Sequence, residues 1–300
     1  MHSMIAPYLD ITEVSYLSEK LFRMLLVKEN NIYVADFKKH NINALSLVEQ
    51  GLNIKEKWMS KVSSEIEGLR LNSYTYPSLV DISKFSKLEY FQLIGMVSNG
   101  EIPFTELDKL KEVDLNYQDK TCKQIFDQQS VEYLDLSYYK SRSGTELTRL
   151  KNLKQLNLNH AVFPNLEFLS DMREMKKLSI SYNPKLTRIE QLGATKETLK
   201  SFGVQNCKKI RDWHVLQEMK QLEFIYIENC GEIETLEFLN ELPNLRGLYI
   251  IGTTKVLDGK LKKIINKESV EKINIAIGKN YDITRDDVRK FDFIPAIKVN

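Results

Sequence analysis

VEYLDL, residues 131–136, sets Val131, Leu134 and Leu136 against Tyr133 and Asp135. Alternation over so short a run marks a half-buried strand, apolar on one face and polar on the other. A strand of that length has no stability alone, so its meaning depends on whether it recurs.

The pattern occurs ten times: IEGLRL (66–71), LEYFQL (88–93), LKEVDL (110–115), VEYLDL (131–136), LKQLNL (153–158), MKKLSI (175–180), LKSFGV (199–204), LEFIYI (222–227), LRGLYI (245–250) and VEKINI (270–275). First residues are separated by 22, 22, 21, 22, 22, 24, 23, 23 and 25 positions. INALSL (42–47) and LFRMLL (21–26) are weaker copies upstream. A unit of this length cannot bury its own apolar face. Stacking copies pairs each strand with the next and buries a continuous core. The residues after each hexad return the chain for a parallel pairing.

The hexad and its period resemble the leucine-rich repeats, from about residue 42 to 278. The ninth position of a repeat in that family is usually Asn or Cys, and here it holds Asn183, Cys207 and Cys230. A small polar side chain there satisfies backbone groups as the chain turns off the strand. Elsewhere the position drifts to Met96, Gln118, Tyr139, Ala161 and Thr253. Cys207 and Cys230 are read as structural, with a redox pair on adjacent repeats as the alternative. Apolar residues three apart in segments such as WHVLQEMK and TLEFLNEL suit short 3₁₀ or α turns. GKLKKIINKES (259–269) reads as a further outer helix. The expected fold is an α/β, right-handed, curved solenoid, with a parallel sheet on the concave face and short helices on the convex face. Residues 1–41 are expected as a partly helical N-terminal cap with one degenerate repeat, 42–281 as the solenoid and 282–300 as the C-terminal cap. DITRDDVRKF (282–291) reads as a helix capped by Asp282 or Thr284, and FDFIPAIKVN (291–300) as the closing segment.

Composition sets outer limits. With 43 basic and 41 acidic residues the net charge is +2, which gives no global pull toward nucleic acid or an anionic membrane. No apolar run is long enough to cross a bilayer. Three cysteines without zinc spacing suit a reducing compartment. No secretory signal is read at the N-terminus, and the expected location is a bacterial cytoplasm.

Function is sought where the fold leaves side chains without a core role. The third and fifth hexad positions point to the concave surface, and the seventh and eighth lie at its margin. The candidate partner-binding residues are Tyr90, Gln92, Glu112, Asp114, Tyr117, Tyr133, Asp135, Tyr138, Asn157, His160, Tyr182, Phe224, Tyr226, Glu228 and Tyr249. Tyrosine is common at binding hot spots and also stabilises neighbouring strands. The acids of this strip outnumber its one lysine, Lys177, so a protein partner with a basic patch is expected. No cofactor, metal, nucleic acid or membrane is implied, and the chain is expected to be monomeric. No HExxH, Walker loop or GxSxG occurs. The expected role is a non-catalytic interaction module: an adaptor, an effector or an immunity protein. The alternative is an enzyme, or a component of one, with a site around Asp114, Asp135 and His160.

Overall fold

The computed structural model describes residues 10–15, 20–27, 34–48 and 57–291 of the 300-residue chain. It divides into an N-terminal unit, Met1–Ser137, and a C-terminal unit, Tyr138–Asn300.

The N-terminal unit holds β1 (Ile11–Ser15), β2 (Leu21–Val27), α1 (Ala35–His40), β3 (Ala44–Leu47), β4 (Gly68–Leu71), β5 (Thr75–Tyr76), β6 (Tyr90–Leu93), β7 (Met96–Val97), β8 (Glu112–Asn116), α2 (Asp119–Cys122) and β9 (Tyr133–Ser137). Its main sheet runs β1-β2-β3-β4-β6-β8-β9. Every pairing from β2 onward is parallel, and β1 lies antiparallel against β2. In register across it run Leu25, Leu45, Leu69, Phe91, Val113 and Leu134, all essentially sealed from solvent. Burying such a side chain contributes roughly 1.5–3 kcal/mol before entropy is counted.

The earliest copy is shifted from its expected place. Leu25 and Val27 face the core, so the repeat reads Phe22–Val27, and Leu21 stands 65% exposed. LFRMLL is apolar in both registers. Pairing with β3 decides between them, because a slip of one residue exchanges the faces. β2 is therefore a repeat strand lying within the residues expected as a cap.

The C-terminal unit holds β10 (Gln155–Asn159), β11 (Lys177–Ser181), β12 (Ser201–Gln205), β13 (Phe224–Glu228), β14 (Glu232–Ile233), β15 (Gly247–Ile251), β16 (Lys255–Val256), α3 (Lys262–Ile265), β17 (Lys272–Ile275) and α4 (Arg285–Arg289). Its sheet is parallel in the order β10-β11-β12-β13-β15-β17. Leu156, Leu178, Phe202, Ile225, Leu248 and Ile273 form its inner row. The return segments are 3₁₀ turns at Glu167–Asp171, Glu190–Thr195, Trp213–Glu218 and Glu237–Glu241.

The ninth-position side chains do the backbone work expected of them. Asn183 donates to the Phe163 carbonyl at 2.9 Å and accepts from the Lys185 amide at 3.1 Å. The Cys207 and Cys230 thiols reach the Ile180 and Val204 carbonyls at 3.6 and 3.5 Å. All three cysteines are buried free thiols. Burial pushes Cys207 up to about 11 and Cys230 up to about 12. In the last of these repeats Thr254, not Thr253, is the buried residue, and its hydroxyl accepts from the Cys230 amide at 3.1 Å. At the C-terminus Thr284 caps α4 in a capping box with Asp287. The segment after Phe291 lies outside the described residues.

Candidate functional site

In each unit the third and fifth positions share the sheet face opposite the inner row, called the strand face here. On the N-terminal unit the third positions run Met24, Ala44, Gly68, Tyr90, Glu112 and Tyr133. The fifth positions run Leu26, Ser46, Arg70, Gln92, Asp114 and Asp135.

Three expected binding residues on this face are buried. Tyr90 is 1% exposed because small neighbours let aromatic rings settle on the sheet. Phe22 lies 5.7 Å from it, and Met24, Ala44 and Val14 complete a second apolar cluster. A Cβ on Gly68 would come within 2.9 Å of the Ala44 methyl and 3.0 Å of the Phe22 ring, so glycine makes this packing possible. Glu112, 2% exposed, stands between Tyr90 and Tyr133 on neighbouring strands. Asp135, 7% exposed, is a short side chain beside Asp114 and two residues from the taller Tyr133. Parallel strands are about 4.8 Å apart, so short groups sink between tall ones.

Tyr133, Gln92 and Asp114 remain half-buried. Gln92 donates to the Asp114 carboxylate. Burial holds Asp114 above the usual carboxylate range; Glu112 adds to this, while Gln92 and the Arg70 charge oppose it. Arg70 Nε and Gln92 Oε1 are buried atoms without a hydrogen-bond partner among the described residues. Tyr117 leaves the margin: its ring packs 5.6 Å from Phe126 and its hydroxyl donates to Asp119 at 3.2 Å.

On the C-terminal unit three expected residues come together at the strand exits. Tyr138, His160 and Tyr182 occupy the eighth position of successive repeats. The Tyr138 and His160 rings are 5.0 Å apart at 27°, and His160 and Tyr182 are 4.7 Å apart at 6°. Tyr138 is 50% and Tyr182 45% exposed. All three have left-handed backbone, with φ of 65°, 57° and 54°. Asn206, Asn229 and Gly252 continue the row at 55°, 52° and 69°. Six successive repeats thus share this conformation at the exit. Asn and Gly adopt it readily; bulky L-residues do so at a cost.

Farther along, Tyr226 packs 6.0 Å from Tyr249, and its hydroxyl donates to Glu228. Gln205 donates to the same carboxylate at 2.6 Å. Tyr249 is buried, against expectation, because Tyr226 stacks on one side and Gly247 leaves no side chain to hold it off the sheet. Phe224 lies over Gly247, with Arg246 and Lys272 at 6.0 and 5.7 Å from its ring. Asn157 is half-buried on the same face.

The acids that suggested a cationic partner are thus engaged internally or covered; Asp114 accepts from Gln92 and stays half-buried. His160 contacts Asn159 through Nδ1 at 2.9 Å and is flanked by two tyrosines. No group of three metal-ligating side chains occurs among the described residues. None of their helices is long and apolar enough to cross a membrane. Sequence reading passed over Gln155, Ser179, Ser181 and Gly203. Their signal was a run of small or uncharged residues at outward positions.

No family model and no curated protein matches the chain. Solved structures do. An internalin (inlF) from Listeria monocytogenes superposes with a TM-score of 0.52 at 13% identity, over 87% of this chain and 88% of that one. The plant peptide hormone receptor RGFR1, solved in complex with RGF2, gives 0.51 at 15% identity, over 88% of this chain and 40% of the receptor. TLR13, from a TLR13–ssRNA13 complex, gives 0.52 at 13%, over 78% and 36%. With the ten-copy hexad and the parallel sheets, these likenesses identify the fold as that of a leucine-rich repeat protein.

Proposed function

We propose that this chain is a non-catalytic binding module that grips a partner protein on the strand face and its exit margin. The exposed stack of Tyr138, His160 and Tyr182 carries this reading. Each ring sits on left-handed backbone that the same turn elsewhere gives to Asn or Gly. Such strain persists where the surrounding structure holds it in place, and it clusters at functional sites. Rigid aromatic side chains are also the commonest binding hot spots.

On the N-terminal unit, Tyr133, Gln92 and Asp114 offer a second contact. Asp114, with Glu112 and Asp135 beside it, suits a cationic group of the partner, in keeping with a basic patch. Buried free thiols fit a cytoplasmic role as adaptor, effector or immunity protein. Nucleic acid is not the proposed ligand, because the rings are not interleaved with a basic strip.

The test is affinity capture from extracts of the producing cell with wild type and with the variant Y138N/H160N/Y182N. Asn tolerates the left-handed turn, so the variant keeps the backbone and removes the rings. The expected result is a partner retained by wild type and lost by the variant. Equal retention by both removes the stack from the function.

A further inference from the structure

The strand face of the C-terminal unit changes height along the sheet. Over β13 and β15 it rises to Phe224, Tyr226 and Tyr249. Over β10, β11 and β12 it is a low polar floor that includes Gln155, Lys177, Ser179, Ser181, Ser201 and Gly203.

Gly203 is the informative position. A Cβ there would meet the Ser179 hydroxyl at 3.4 Å and Tyr226 Cβ at 3.7 Å, which is ordinary contact, and its φ is not left-handed. At Gly247, by contrast, a Cβ would come within 2.6 Å of the Phe224 ring. Glycine inside a strand costs roughly 0.5–1 kcal/mol relative to alanine. Neither backbone nor packing requires it at 203, so what it supplies is room for another backbone.

Two further observations point to a ligand. Gln155 is 8% and Ser181 3% exposed, and Gln155 Oε1 and Ser181 Oγ have no hydrogen-bond partner among the described residues. A buried polar atom left unsatisfied is costly. Both are adjustable, one on a flexible amide and one on a hydroxyl rotor. Charge supplies the third constraint. Lys177 is exposed on this floor, Lys176 is exposed beside it, and no ion pair ties either among the described residues. Glu228, a carboxylate on this face, is held by Tyr226 and Gln205.

We infer that this floor takes an extended, acid-bearing segment of the partner protein. Its backbone passes over Gly203, its polar groups answer Gln155 and Ser181, and its carboxylate meets Lys177. The inference rests on the proposed binding function and adds the chemistry of the bound segment.

Displayed random peptides, selected separately on the full chain as wild type, K177E, G203V and K209E, test it. Selection on wild type should enrich Asp and Glu. K177E should weaken those peptides at least about tenfold and enrich Lys and Arg instead. G203V should weaken them comparably, and K209E, at an exposed lysine off the strand face, should leave them unchanged. Unfolding midpoints confirm that each variant is folded; K177E, at an exposed side chain, decides the matter where G203V lowers its midpoint. Peptides without acids, or peptides indifferent to K177E, overturn the inference; their loss on Y138N/H160N/Y182N would leave the proposed function standing. No enrichment on any form overturns both. An oligouridine probe run alongside should not bind. Oligouridine binding that K177E abolishes, without acidic peptides, assigns the floor to nucleic acid and overturns the protein segment.

Discussion

The two units build the same strand from the same hexad and leave it by different turns. In the C-terminal unit the exit is left-handed at Tyr138, His160, Tyr182, Asn206, Asn229 and Gly252. Asn183, Cys207 and Cys230 then fold inward and satisfy backbone groups. In the N-terminal unit the corresponding Ser73, Gly95 and Tyr117 are not left-handed. There the chain runs on into the short pair β5 and β7, with Thr75 opposite Met96. Gln118 bridges from the next repeat, accepting from the Val97 amide at 2.9 Å and donating to the Gly95 carbonyl at 3.0 Å. The ninth residue differs as well: Tyr139, Ala161, Asn183, Cys207 and Cys230 are buried behind left-handed exits, whereas Met96 points outward at 62% exposure. The strand is generic; the exit is where each repeat acquires an individual surface.

Glycine substitutions should break this contrast most sharply. A Cβ on Gly95 would sit 2.0 Å from the Ser73 carbonyl oxygen, so G95A should cost roughly 3 kcal/mol or more. G203A, in open contact, should be neutral or stabilise by about 0.5–1 kcal/mol. Chemical denaturation of both variants measures the difference, and equal costs would mean that the close approach at Gly95 does not constrain its exit.

The ninth position should show the next largest effect. N183A leaves the Phe163 carbonyl and Lys185 amide without their partner and should cost about 2–3 kcal/mol. M96A, at the equivalent site of the N-terminal unit, should stay within about 0.5 kcal/mol. Matching losses would show that the inward turn adds nothing.

A subtler difference concerns pH. Burial, then the neighbouring Glu190, push Asp212 up to about 6, and its carboxylate accepts from the Ile189 amide of the preceding repeat at 2.8 Å. The folded state holds that proton more tightly than the unfolded chain, whose carboxyl titrates near 3.8. Its contribution is therefore complete below pH 3.8 and fades as pH rises through about 6. Glu190 is shifted the opposite way, so its contribution is lost only as pH falls below 4.5. Between pH 4.5 and about 6.5 the urea midpoint of D212N should vary less than that of wild type. Parallel profiles would assign the slope elsewhere.

Much of the fold was legible because the inward positions obey a period that no neighbour can alter. Leu134 and Leu136 must face a core wherever the sheet goes. Leu21 misled because LFRMLL is apolar in either register. The candidate site was less legible. Side-chain height on a parallel sheet depends on residues more than 20 positions away, such as the tyrosines flanking Glu112. Asp135, outward by alternation, is buried for the same kind of reason. The left-handed row did leave a trace: Asn206, Asn229 and Gly252 recur at the offset where Tyr138, His160 and Tyr182 stand. Asn and Gly, suited to the turn, stand where two tyrosines and a histidine precede them, and that contrast is the sequence trace of the proposed binding role.

The most direct test of that purpose is the affinity of the captured partner for Y138N/H160N/Y182N, taken with the unfolding midpoint of the same preparation. Lost ring stacking, about 0.5–1.5 kcal/mol per pair, opposes relief of left-handed strain of about 1–2 kcal/mol per residue, so folding should change little. The dissociation constant should rise about a hundredfold or more. An unchanged dissociation constant in a folded variant would contradict the assignment of these rings to binding.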